Sequence, residues 1–366
     1  MDQDGRISEM SSYCNTSFDV GRFAEHALER YGECKAVVES TGNMWLKTYE
    51  AFESRGMEVK LANPLKTRII AEARVKTDTL DAKMLAHLLR ADLVAECYVP
   101  PRPVRESRAP LGHRMNLVRE QTRVKNRIHS LLDKYDLKCE YRHMLGAHGM
   151  RWLRGLQLDR EYDQVLLQSL LRQLEFLSRE EEIGDSEIAQ DAIDSKYVPV
   201  IMSMTGFDYY SASLLAAYIA DIRRFPSPEH LISWVGICPS VHQTGNSLHM
   251  GRMKDGNGKV KWMKWMMIQA ANVAVRNDPR MRAFYERKLR RHKHNMAMTH
   301  VANKMLKIIW HMLRENRLYN ERSERLYMSK LKRIANGKSQ WNSLRHSRPH
   351  PQHLREFLQP MREFAS

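Results

Sequence analysis

Apolar and polar positions divide this chain into regions with different periods. Over residues 1–103, short apolar runs alternate with amphipathic stretches. Ala36-Val37-Val38, within Cys34 to Glu39, and Met57 to Ala62 read as short strands. Phe18 to Tyr31 has helical spacing in Phe23, Ala24, Ala27 and Leu28, and Gly32 ends it. A second helix carries Trp45, Leu46, Tyr49 and Phe52 and stops at Gly56. Leu65 to Ala73 and the stretch from Asp78 to about Leu93 follow as helices, and Arg6 to Cys14 is expected as a further strand. Such alternation predicts a largely parallel or mixed sheet with helices packed on it. Three prolines between Tyr98 and Pro103 close the unit.

From 104 to 195 the pattern is helical and charged. Val118, Val124, Ile128, Leu131 and Leu132 form one stripe, and Leu167, Leu170, Leu174 and Leu177 step by three, four and three. That heptad spacing, broken near Gly146 and Gly149, predicts an antiparallel coiled-coil arm. Pro110 disfavours a helix interior, so the first long helix is expected to begin after it. Residues 196–318 form a third region, mainly α. It opens with Val198 to Met204, the turn Thr205-Gly206-Phe207 and a helix from Ser211 to about Ile222. A Gly turn between short helices suits either a helix-hairpin-helix that grips phosphates or an ordinary packing unit. Helices are expected over Lys261 to Val275 and Met298 to Leu313, with their Met and Trp stripes as core. Beyond Tyr319 the periodicity fades, and residues 319–366 are expected as a basic, disordered tail.

Composition sharpens this picture. The 366 residues carry a formal net charge of +16, with 43% hydrophobic positions. That is enough apolar material for real cores, and the charge excess points to a polyanion, with nucleic acid the default partner. The five cysteines are scattered with no C-x-x-C pair, which excludes a zinc motif or a disulfide framework. The polar N-terminus is no signal peptide, and no apolar run is long enough to span a membrane, so a cytoplasmic, nucleoid-associated location is expected.

Three stretches carry candidate chemistry. Asp78 and Asp81 sit at i and i+3 near a helix start and share a face, while Glu39 ends the first strand. Three carboxylates so placed suit a shared divalent metal; on spacing alone, capping of the helix and its dipole is the simpler account of the Asp pair. Gly236 to Ser247 is rich in Pro, Gly, Ser and Thr and reads as a loop, with Ser240, Thr244 and Ser247 as exposed hydroxyls. A hydroxyl nucleophile for phosphoryl transfer needs such a position with cations nearby, though turn-forming residues also fill ordinary surface loops. Cations follow in Arg252, Lys254, Lys259 and Lys261, and again in the connector holding Arg287, Arg290 and Arg291. Lys76, Arg223 and Arg224 complete the candidate nucleic-acid contacts.

The words Lys76-Thr77-Asp78-x-x-Asp81-Ala82, Val38-Glu39-Ser40-Thr41-Gly42-Asn43 and Val124-Lys125-Asn126-Arg127-Ile128-His129 resemble the DEDD transposases of the IS110 insertion-sequence family. Arg224-Phe225-Pro226-Ser227, Gly236-x-x-Pro239-Ser240-x-x-Gln243-x-Gly245 and Gly251-Arg252 are similar to that family's second domain. The resemblance runs over about residues 30 to 315. It implies an α/β RNase H-like (RuvC-like) N-terminal domain, a helical coiled coil and a mainly α C-terminal transposase domain. It implies that Glu39, Asp78 and Asp81 are three of four Mg²⁺-binding acids. It implies a recombinase that forms a covalent hydroxyl–DNA intermediate, works as a homo-oligomer and is guided by a structured RNA of the element.

Two departures accompany it. The family's opening strand carries the first Asp; here Met1-Asp2-Gln3-Asp4-Gly5 resembles the turn after it, so that strand and its Asp are expected to be missing. The family's nucleophilic serine aligns with Thr244, with Ser240 and Ser247 as alternatives. The rival expectations are a decayed transposase that binds nucleic acid without chemistry, and a metal-dependent junction nuclease without a covalent step.

Overall fold

The structure, a computed structural model, describes residues 1–70, 78–141, 143–244, 247–253 and 259–334. The side chains of 68–70, 78, 79, 193, 239–244, 247–253 and 259–261 also lie outside the description. The chain divides into two units, Met1–Pro100 and Pro101–Ser366.

In the first unit the order is α1 (Ser17–Tyr31), β1 (Lys35–Glu39), α2 (Met44–Glu53), β2 (Glu58–Ala62), α3 (Pro64–Ile70) and α4 (Asp78–Arg90). The Thr16 hydroxyl accepts from the Asp19 N–H at 3.1 Å to cap α1, and Gly32 closes it at φ 72°. Strands β1 and β2 pair in parallel, from Lys35↔Glu58 to Glu39↔Ala62, with α2 as the crossover. A Lys35–Glu58 ion pair of 2.7 Å marks one end of that register. Residue 96 adds an antiparallel bridge to Ala62. The core is small: Val20, Ala24, Phe52 and Met57, with Phe23 and Val38 packed against it. Residues 6–14 form no strand. That stretch has scattered rather than alternating apolar positions, so it offers no face to bury.

In the second unit, α5 (Arg102–Asp133), α6 (Ala147–Gly155) and α7 (Glu161–Asp194) form a helical arm. Polar pairs join α5 and α7 in reverse order: Arg114 with Asp185 at 2.8 Å, Gln121 with Glu181, Lys134 with Asp163. The helices therefore run antiparallel. Between them lie Val124, Ile128, Leu131, Leu132, Leu167, Leu170, Leu171 and Leu174, with Leu153 of α6 in the same cluster. The Lys134 ammonium and the Tyr135 hydroxyl, which donates at 2.6 Å, hold the Asp163 carboxyl below the usual carboxylate range. Pro110 lies inside α5 rather than before it. Its cost, about 3 kcal/mol in an isolated helix, is offset by tertiary anchors. Leu111 and Met115 are buried, Arg108 donates to the Ala217 carbonyl, and Tyr210 donates to the Leu111 carbonyl.

The remaining elements are α8 (Val198–Ser203), α9 (Tyr209–Ile219), α10 (Pro228–Val235), β3 (Pro239–Thr244), β4 (Ser247–Met253), α11 (Lys259–Asn277), α12 (Pro279–Leu289) and α13 (His294–Glu315). Helices α8–α11 and α13 share one apolar core. The turn between α8 and α9 packs against it, with Thr205 and Gly206 half-buried. Gly206 stands at φ 105°, and a Cβ there would lie 2.3 Å from the Ala270 carbonyl oxygen of α11. Phe207 beside it is 1% exposed. The turn is thus a packing device, the second of the two alternatives its sequence allowed. The expected tail also begins inside the fold. Tyr319 donates to the buried Asp278 carboxylate at 2.8 Å, and residues 324–334 are helical with Tyr327 and Ile334 buried. Three widely spaced apolar side chains suffice to pin that segment, too few to register as a period. Residues 335–366 lie outside the described residues.

Candidate nucleic-acid site

In the first unit Glu39 is the last residue of β1, half-buried, and its carboxylate accepts from the Thr41 hydroxyl. Asp81 sits in the first turns of α4, also half-buried, and Asp78 is the first residue of that helix. Helix α4 packs against β1. Glu39, Asp78 and Asp81 are all carboxylates, whose hard oxygens would suit Mg²⁺. Among the described residues no three His, Cys, Asp or Glu side chains converge closely enough to hold a metal ion. The Asp78 side chain and Lys76 lie outside the description.

In the second unit, the segment expected as a loop is a β-hairpin. Strands β3 and β4 pair antiparallel, with Thr244↔Ser247 and His242↔His249 in register. Only Gly245-Asn246 separates the last pair, a two-residue connection whose composition is a recognised hairpin signal. A ladder satisfies backbone groups that a loop leaves to water, which is why pairing wins over the polar composition. Two of the three candidate hydroxyl residues, Thr244 and Ser247, therefore face each other at the hairpin end. Near Ser240 the register shifts between Pro239↔Met253 and Val241↔Met250, leaving Gly251 and Arg252 opposite one residue. Such a bulge re-aims a strand locally. Lys254 is outside the described residues, and Lys259 and Lys261 open α11.

The expected cations differ in their surroundings. Arg224 is half-buried: it donates to the Ile219 and Tyr218 carbonyls at 3.0 and 3.1 Å and lies over Phe225 and Trp234. It clamps the end of α9. Arg223 is exposed but paired with Asp221 at 2.9 Å, and that pair holds the Asp221 carboxyl below its usual range. Arg287, Arg290 and Arg291, at the α12–α13 junction, are exposed, and among the described residues none of the three is ion-paired. Arg287, Lys288 and Lys304 surround the Phe284 ring, with Lys304 at 4.4 Å from its centre. Burial and the neighbouring Arg287 and Arg280 push the Lys304 ammonium below its usual value. Burial, Lys288 and His292 do the same to His300, whose ring lies 4.9 Å from that of His292. Crowded positive charge of this kind is relieved by an anion. His292 belongs to the cationic connector, while Phe284, His300 and Lys304 were not singled out in the sequence, because no linear motif joins positions on two helices. Trp265, expected in the core, is 55% exposed.

The comparisons place the chain among insertion-sequence transposases. A family model described as "Transposase" matches residues 1–136, and the model of the "Transposase IS116/IS110/IS902 family" matches residues 198–286, together more than half of the chain. The chain belongs to the IS110 transposase family. It is 26% identical to the transposase for insertion sequence element IS1111A of Coxiella burnetii, over 77% of this chain and 78% of that protein. It is 24% identical to the transposase for element IS1328 of Yersinia enterocolitica, over 70% and 76%. An insertion element IS110 protein of Streptomyces coelicolor is 30% identical over 34% of this chain, a match that spans less than a third of that protein's length.

Proposed function

We propose that this transposase cuts and exchanges DNA strands by metal-assisted phosphodiester transfer, with Glu39, Asp78 and Asp81 as metal-holding acids and Thr244 as the attacking hydroxyl. The observation that carries the reading is that the two family matches, in order, contain the three acids and the hairpin residue. The N-terminal unit is read as RuvC-like and the α5–α7 pair as a coiled-coil arm. Bound Mg²⁺ supplies charge neutralisation at the scissile phosphate. The chain's own residues do the rest. Glu39, at a strand end, and Asp78 and Asp81, at a helix start, would hold the ion. Thr244, at the hairpin end, attacks phosphorus, forming a Thr–O–P bond while the DNA 3′ or 5′ oxygen leaves with the proton. Arg287, Arg290 and Arg291 neutralise backbone phosphates. A homo-oligomer and a structured element RNA complete the proposed assembly.

The test uses the full-length chain with element-end DNA, element transcript and Mg²⁺. A covalent protein–DNA adduct on a denaturing gel is expected. It disappears in Asp78→Asn, Asp81→Asn and Thr244→Val, and survives in Arg223→Ala. Cleavage that persists in Thr244→Val, with no adduct, identifies a nuclease instead. The Thr at the family's serine position favours a second reading, in which the chain binds DNA without cutting it. Salt-sensitive binding with no cleavage under any of these conditions establishes that reading.

A further inference from the structure

Helix α11 presents a face that its own unit leaves open. Its buried side is Met263, Met266, Met267, Ala270, Ala271 and Ala274. Across its whole length it carries three Lys and one Arg and no acidic residue. On the other side Trp262 is half-buried, with the Arg119 guanidinium 3.9 Å from its ring centre. Trp265, one turn on, is 55% exposed beside the half-buried Lys264. Arg119 itself is exposed, and its acidic neighbour Glu120 is already paired with Arg123. A large flat ring kept in water, on a helix with four cations and no acidic residue, is complementary to a polymer that alternates flat bases with phosphates. It is poorly suited to duplex DNA, whose base faces are covered by stacking.

We propose that Trp265 is a stacking platform for an unpaired base of single-stranded DNA, with Arg119 and Lys264 holding the adjoining phosphates. This rests on the DNA-processing reading and deepens it. In the chain, α11 follows the β3–β4 hairpin after residues 254–258.

The experiment compares the full-length wild type with Trp265→Ala and Trp265→Phe, using a short labelled oligothymidylate, the matching duplex, and an oligouridylate of equal length. Fluorescence anisotropy is read at fixed salt. Trp265→Ala is expected to bind the single DNA strand about tenfold more weakly, with Trp265→Phe retaining most of the affinity and the duplex changing less than about twofold. Unchanged circular dichroism in both variants excludes misfolding, since the ring is exposed. Equal binding of the single strand by all three proteins overturns the proposal while leaving the DNA reading standing. So does a loss confined to the oligouridylate, or a drop in oligomer mass in Trp265→Ala that shows a second copy on this face. A wild type that binds neither strand form overturns both.

Discussion

In Met1–Pro100 the main buried cluster is Val20, Ala24, Phe52 and Met57, beneath a two-stranded sheet. In Pro101–Ser366 one core runs from Leu111 to Ile334, and a second fills the α5–α7 arm. The proposed metal-holding acids stand in the thinly packed unit, and the hairpin and cationic surface in the thick one. By surface-to-volume scaling, a unit of about 100 residues buries a smaller share of its surface than a larger one.

The comparison is broken most directly at Phe52, which is 4% exposed in the small cluster. Phe52→Ala is expected to cost about 3–5 kcal/mol, enough to unfold residues 1–100. Limited proteolysis should then cleave that unit while the second unit's thermal transition stays in place; loss of both together would mean that the two are not independently stable. The second test lies in the large core. Gly206→Ala adds a Cβ at φ 105°, 2.3 Å from the Ala270 carbonyl. Strain plus the clash should remove about 3 kcal/mol, seen as a lowered melting temperature of the second unit with the first unit's protease pattern unchanged.

The third test concerns the C-terminal segment. Burial pulls the Lys330 ammonium from 10.5 down to about 8, where it donates to the Met202 and Met204 carbonyls. The folded value lies below the unfolded one, so between these limits the unfolded chain binds more protons. The penalty is full below about pH 8 and is relieved as pH rises toward 10.5. Lys330→Met should gain stability over the wild type by about 1 kcal/mol at pH 7, shrinking toward pH 10 in paired urea melts. A gain independent of pH would assign the effect to packing alone. The smallest effect is expected at Lys60, whose ion pairs of 2.7 and 2.8 Å reach the exposed Asp92 and Glu96. Lys60→Met should cost less than about 1 kcal/mol, and the difference should fade in high salt.

The sequence by itself determined the elements that local period and punctuation specify. The β1–α2–β2 unit between Gly32 and Asn63-Pro64 follows from alternating runs and turn residues. The Leu167–Leu170–Leu174 stripe lies in the seam between α5 and α7. Asp78 and Asp81 in α4, and Glu39 at the end of β1, were placed on their elements by the same local signals.

Tertiary structure decided what depends on partners distant in the chain. Pro110 stays inside α5 because anchors from α9 outweigh a local penalty. Gly206 serves the close approach of Ala270 rather than an open turn. Trp262 and Trp265 have the same composition and nearly the same position in α11, yet one is covered by Arg119 and the other is open. Periodicity reports which side of a helix is apolar; only the packed neighbours determine how much of that side is covered.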